Sequence, residues 1–192
     1  MKRDIMNKLS TAEIFQAAEI HKKELGGADF LSSCSKDFIS YFYSQYSDDE
    51  SNKLLIVKDE DQVAGFVFLS LAKNRLFGDF LKRNLTKILL TPSALFSLFR
   101  TVLLKSRTTL KHKYDVDIVY IAVGKKFQSK GYARKLLGKV EEHLKAHLIS
   151  TYCLQVFKDN NRAVAFYEKY GFETIEEYSA RGRIKLLMRK NI

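Results

Sequence analysis

Val123-Gly124-Lys125-Lys126-Phe127-Gln128-Ser129-Lys130-Gly131-Tyr132-Ala133-Arg134 is the stretch on which the fold turns. Before it, residues 115–123 are rich in β-branched and aromatic side chains (Val116, Ile118, Val119, Tyr120, Ile121, Val123), which predicts a strand. After it, Ala133, Leu136, Leu137, Val140, Leu144 and Leu148 recur at helical spacing, so a helix begins near 129–131. A strand that feeds a helix through such a turn leaves unpaired N–H groups and the positive end of the helix dipole at the turn, a natural seat for a pyrophosphate. Gly131 allows a phosphate to approach the backbone with no Cβ in the way. Between Lys125 and Lys139 there are six basic residues and no acidic one. The turn is neither a P-loop, for want of Gly-Lys-Ser/Thr, nor a dinucleotide fingerprint, which needs three spaced glycines. Taken alone it reads equally as a helix with a basic solvated face.

A second informative segment follows: Asn160-Asn161-Arg162-Ala163-Val164-Ala165-Phe166-Tyr167-Glu168-Lys169-Tyr170-Gly171-Phe172. On a helix Tyr167 stands about 700° from Asn160, within about 20° of the same face. An amide and a phenol two turns apart can therefore line one cleft, with Phe166 and Tyr170 beside Ala163 on the core side. Alone, Tyr167 reads as an ordinary half-buried tyrosine.

The surrounding elements follow from caps and periodicity. Ser10-Thr11-Ala12-Glu13 is a capping box for a helix with Ile14, Phe15, Ala18 and Leu25 on its apolar face, ended by Gly26-Gly27. Ser35 caps a second helix carrying Phe38, Ile39, Phe42, Tyr43 and Tyr46. Residues 53–58 and 62–72 form a hairpin across Asp59-Glu60-Asp61, with Gly65 marking a bulge or a close backbone approach. Residues 73–113 read as a two-helix insertion, the second helix starting at Thr91-Pro92. Strands are predicted at 151–157, 172–178 and 184–189. Strand–helix–strand crossings beside hairpins make this an α/β (α+β) fold with a mixed sheet, in one domain spanning 1–192.

Together the two segments resemble the GNAT superfamily of N-acetyltransferases. Gln128-Ser129-Lys130-Gly131-Tyr132-Ala133 is similar to its acetyl-CoA motif, Gln/Arg-x-x-Gly-x-Gly/Ala, and Asn160 to Phe172 to its later Asn…Ala…Phe-Tyr-x-x-x-Gly-Phe motif. The order from Met1 to Ala72 also fits the family's strand, two helices and hairpin, while 73–113 lies outside the common pattern. The resemblance implies a mostly antiparallel twisted sheet flanked by helices. It implies acetyl-CoA as donor and an amine as acceptor, with no metal. Ile121, Ala122 and Val123 would face the pantetheine arm and thioester. The N–H groups of Gln128, Ser129, Lys130, Gly131, Tyr132, Ala133 and Arg134 would hold the pyrophosphate, with charge from Lys130 and Arg134. Asn160 would bind the cofactor arm, and Tyr167 would be the general acid for the leaving thiolate.

For the general base, many relatives carry a carboxylate three or four residues before the strand-ending valine, where this chain has Tyr120 and Val119. Asp117 shares the face of Ile121 and Val123 by strand alternation and is the best candidate, with Asp115 further out. Both aspartates also read as strand-end caps, and deprotonation through solvent or by the substrate is equally open.

Composition narrows the setting. With 192 residues, 46% of them hydrophobic, and one proline, the chain is neither disordered nor multidomain. Cys34 and Cys153 have neither metal-like spacing nor a disulfide framework, and His143 and His147, four apart on one helix, lack a third ligand. Absence of a leader-like N-terminus and of a spanning segment predicts a cytoplasmic protein. Lys and Arg exceed Asp and Glu by 33 to 22, a net charge of +11. Ten of those cations and a single acid, Asp79, fall in 73–113, so the insertion is expected to face an anionic acceptor or a membrane surface. The leading expectation is acetyl transfer to a small-molecule amine such as an amino sugar or nucleotide-linked sugar. Alternatives are a protein amine or aminoacyl-tRNA as acceptor, or a non-catalytic protein of this fold on an anionic surface. No arginine-rich tail or aromatic nucleic-acid motif supports nucleic acid as a partner. The oligomeric state is left open.

Overall fold

A computed structural model describes residues 8–26, 30–46, 49, 51–71, 73–103, 116–180 and 182–192. The leading strand expected of the family, Asp115 and the end of the insertion (104–113) lie outside them.

Among the described residues six strands form one sheet in the order β1-β2-β3-β4-β6-β5: β1 Asn52–Asp59, β2 Gln62–Ser70, β3 Asp117–Val123, β4 Thr151–Phe157, β5 Glu173–Ala180 and β6 Arg183–Asn191. Every pairing is antiparallel except β3 with β4. The parallel step is forced by the crossover through helix α7 (Tyr132–Ala146), which covers one face of the sheet. There Leu136, Leu137, Val140 and Leu144 pack on Val67, Leu69, Ile118 and Leu154. On the opposite face lie α1 (Thr11–Glu24), α2 (Phe30–Ser33) and α3 (Lys36–Ser44), burying Ile14, Phe38, Phe42 and Tyr43 against Phe66 and Phe68. Gly65 is where β2 meets β3 too closely for a side chain: a Cβ there would lie 2.8 Å from the Ala122 carbonyl oxygen.

Local signals set the helix ends. Ser10 and Glu13 form the reciprocal capping box, and the Ser35 hydroxyl accepts the Phe38 N–H. Three side chains depart from the expected stripes. Phe15 is exposed, with Lys36 Nζ 4.2 Å above its ring, and His21 takes a core position instead. His21 Nδ1 and Nε2 lie 2.5 Å from the Tyr43 hydroxyl and 2.9 Å from the Ser32 hydroxyl, so a polar side chain joins α1, α2 and α3. Leu148 is solvent-facing, because α7 ends at Ala146 and the chain turns through a positive φ.

The described part of the expected two-helix insertion, residues 73–103, holds three helices: α4 (Lys73–Arg83), α5 (Leu85–Leu89) and α6 (Pro92–Leu103). The first predicted helix breaks at Asn84, whose φ is −120°. Its buried amide donates to the Phe80 carbonyl and accepts the Tyr41 hydroxyl, side-chain bonds that compete with a regular helix. α6 is held to the body by Ser97, whose hydroxyl donates to the Phe30 carbonyl, and by Ser93, which accepts the Ser35 N–H.

Candidate acetyl-CoA site

β3 and β4 pair only at Asp117–Cys153 and Ile118–Leu154. Beyond those two positions they diverge, although β2 stays paired with β3 to Val123 and β6 with β4 to Phe157. The split opens a cleft of about 570 Å³ lined by Ile121, Ala122 and Val123 from β3, and by the starts of α7 and α8 (Asn161–Lys169).

The first wall is the turn after β3. Gly124 N–H still bonds Ala64, then a short 3-10 turn, Lys125–Phe127, leads to Ser129 and Gly131, both at positive φ (64° and 84°). Open space surrounds a Cβ built on Gly131, so its handedness is what demands glycine, while Ser129 holds a left-handed backbone disfavoured for a side-chain-bearing residue. The first bond of α7 runs from Lys135 N–H to the Gly131 carbonyl. No side chain caps this end and no acid lies in its first turn, so its N–H donors point into the cleft unspent. Ser129, Gly131, Tyr132, Ala133 and Arg134 line the cleft with Gln128; Lys130 is exposed and outside the lining. The Tyr132 phenol is raised above its ordinary value by its hydrogen bond to Asp59, which ties α7 to the β1–β2 turn.

Two residues overlooked in the sequence hold this wall together. Glu24, at the end of α1, accepts Lys125 N–H at 3.0 Å and the Gln128 amide at 3.2 Å, and that amide also reaches the Val123 carbonyl. Arg162 donates to Gln128 Oε1 and to the Ser129 hydroxyl, both at 3.0 Å. Arg162 lay within the second motif and carried a signal; Glu24 is 104 positions from Gln128 and carried none. The donor set fits a diphosphate: uncapped N–H groups, with Arg134 and Arg162 beside them.

The second wall is α8. Asn160 caps it by accepting Ala163 N–H at 3.2 Å and also lines the cleft. Tyr167 faces the same space and is the buried member of the helix; Phe166 and Tyr170, expected on the core side, are half-buried, and Phe166 too lines the cleft. Burial alone pushes the Tyr167 phenol up to about 12.

Asp117 lies at the closed end of the split and outside the cleft lining, with 2% exposure. The expectation that it shares a face with Ile121 and Val123 is corrected by a bulge. Phe68 pairs with Tyr120 but Leu69 with Ile118, which leaves Val119 extra and reverses the alternation. Ile118, Ile121 and Val123 pack on the α7 side, so Asp117 faces the opposite way, with Tyr120 and Ala122. On that side the Tyr178 phenol is pushed up by burial, then by the charges of Asp117 and Glu176, and it donates to Gln155. His143 and His147 have ring centroids 4.4 Å apart, and among the described residues no group of three metal-ligating side chains forms.

Comparison with known proteins follows the same line. The family model described as acetyltransferase (GNAT) family matches residues 23–172. No curated protein matches the sequence significantly. Among solved structures, the ribosomal-protein-S18-alanine N-acetyltransferase of Escherichia coli is 17% identical, with 97% of this chain and 92% of that one covered and a TM-score of 0.58. The PaiA N-acetyltransferase of Thermoplasma acidophilum, solved with coenzyme A, is 14% identical, with 97% of both chains covered and a TM-score of 0.55. A further acetyltransferase reaches a TM-score of 0.65 at 17% identity over 97% of this chain and 98% of its own. At such identities the structures speak for the fold, and the family model for the membership. With a match over most of its length, this chain belongs to the acetyltransferase (GNAT) family, whose members transfer an acetyl group from acetyl-CoA to an amine.

Proposed function

We propose that the cleft between β3 and β4 binds acetyl-CoA and that the acceptor is the amine of a small molecule, of the class of amino sugars or nucleotide-linked sugars. The observation that carries the reading is the convergence on one cleft of an uncapped helix start, a strand end and a buried phenol. The N–H groups from Gly131 to Arg134, with Arg134 and Arg162, would hold the pyrophosphate. Backbone groups of Ile121, Ala122 and Val123 would hold the pantetheine arm and orient the thioester carbonyl, and Asn160 would add its amide. Lys130, exposed beside the turn, would contribute charge only at longer range.

Direct transfer needs a deprotonated amine in line with the thioester and a proton donor at the departing sulfur. Tyr167 would be that donor, since desolvation keeps its phenol neutral. Asp117, buried on the side away from α7 and outside the cleft lining, would accept the amine proton through a relaying water. A small acceptor suits a site whose proton acceptor is buried at the closed end of a split.

The similarity to an enzyme named for acetylating a ribosomal protein favours a second reading, with a protein amine as acceptor. Thiol release from acetyl-CoA across amino sugars, simple amines and peptides separates the two. Turnover with amino sugars supports the proposal; turnover confined to peptides replaces it, and no release with any acceptor leaves a binding protein.

A further inference from the structure

We propose that the outward face of α5 and α6 docks the protein on an anionic lipid bilayer, an interaction that does not depend on which acceptor the cleft takes. Leu85, Leu89, Leu90, Leu95, Phe96 and Phe99 are 54%, 55%, 83%, 43%, 67% and 61% exposed on these two short helices. Elsewhere among the described residues, large exposed apolar side chains occur singly, at Phe15, Leu148 and Ile184. Six large apolar side chains exposed within fifteen residues, on two consecutive helices and the turn between them, mark an interaction surface. It is not a frayed edge: Ile88, Ala94 and Ser97 on the inner side are at most 1% exposed, and Ser93, Ser97 and Asn84 bond the helices to the body.

Charge selects the occupant. Lys82, Arg83 and Lys87 are exposed next to the patch, with Lys87 Nζ 4.6 Å above the Tyr41 ring. Over 73–113 the sequence holds ten basic residues against Asp79 alone, a net +9, while the rest of the chain carries +2. A second copy of the chain would bring the exposed Lys82, Arg83 and Lys87 against like charge. Nucleic acid would seek a surface built of cations, whereas here the exposed side chains of α5, α6 and the turn between them include six large apolar ones, with Lys82, Arg83 and Lys87 on α5 and at the end of α4. Exposed apolar side chains with cations beside them suit the boundary between headgroups and acyl chains. The contact lies on the bilayer, because no helix among the described residues is long and apolar enough to cross one.

The test is flotation of the full-length protein with phosphatidylcholine vesicles and with vesicles that also contain phosphatidylglycerol. Binding is expected with the anionic vesicles and is weakened by salt. Each cation near such a surface is worth roughly a factor of five, so the triple variant Lys82→Glu, Arg83→Glu, Lys87→Glu should lower partitioning by about 100-fold or more. Phe96→Ser with Phe99→Ser should abolish it without lowering thermal stability, as both side chains are largely exposed. Because the chain has no tryptophan, Phe96→Trp gives a clean fluorescence reporter that should shift to the blue on anionic vesicles. Absence of binding, binding indifferent to the phenylalanine pair, or an unshifted reporter would each overturn the proposal. So would a dimer that Phe96→Ser dissociates in protein that ignores vesicles.

Discussion

Tyr167→Phe removes one oxygen from a ring that stays packed on Phe166 and Phe172, at centroid distances of 5.4 and 5.6 Å. The fold should therefore lose less than about 1 kcal/mol. The rate should suffer far more. Burial raises the phenol to about 12, and a thiolate of ordinary basicity takes up a proton near about 8.5, so complete transfer would run uphill by about 5 kcal/mol. On the proposed reading Tyr167 would act by hydrogen bonding to the sulfur as charge develops, with its proton moving only as the carbon–sulfur bond breaks. Losing such a donor costs about 10²- to 10⁴-fold in kcat, or roughly 3–5 kcal/mol of barrier. Single-turnover thiol release at saturating acetyl-CoA reads this directly. A variant within about threefold of the parent in kcat, or one altered only in KM, would refute the assignment. The pH dependence carries the same sign. A raised phenol stays protonated through neutral pH, so activity should not fall through loss of its proton until the alkaline range near about 12. The associated stability is intact below about 10, the unfolded value, and declines as the pH climbs through the folded one.

Other outcomes follow from neighbouring features. Gly65→Ala sets a methyl 2.8 Å from the Ala122 carbonyl oxygen, so β2 and β3 must shift; urea denaturation should show a loss of about 1–3 kcal/mol together with weaker acetyl-CoA binding. Arg162→Ala frees Gln128 and Ser129 from their guanidinium and should raise the acetyl-CoA KM by about tenfold with little change in kcat, the size of a lost charge-assisted hydrogen bond. Ser10→Ala should cost about 1 kcal/mol in thermal denaturation. The Glu13 carboxyl is held below its ordinary range, chiefly by the Ser10 backbone N–H, which alanine keeps, and less by the Ser10 hydroxyl, so only the part of the loss that comes from the hydroxyl–carboxylate bond should shrink as acid protonates Glu13.

What was legible in the sequence was local. Ser10, Ser35 and Asn160 announce helix starts because capping involves residues within three positions, and the boundaries of β4 match the predicted range, 151–157, because turn signals flank it. The turn from Val123 to Arg134 was readable for the same reason. What escaped depended on partners distant along the chain. Asn84 interrupts its helix by bonding Tyr41, 43 positions away. The bulge at Val119 is set by the register with β2 and reverses the face of Asp117, which strict alternation could not foresee. Glu24 looks like one more acid in a helical last turn until the fold brings Lys125 and Gln128 to it. Nothing near His21 in the sequence marks it as a core residue, yet two hydroxyls brought by α2 and α3 make its burial tolerable.

The two-position junction of β3 and β4 also bears on solubility. Past Ile118 and Leu154 each strand keeps its outer neighbour and presents its inner edge unzipped. Open strand edges are templates on which other chains can stack, and proteins usually blunt them with charge, proline or a bulge. Here the edges are recessed between the first turns of α7 and α8, in a space of about 570 Å³. A recessed edge is less open to an added strand than one at the border of a sheet, whereas a slender, unbranched ligand can lie along it. The geometry that leaves the cleft ready for a thread-like cofactor thereby shields the chain from aggregation through its own unpaired backbone.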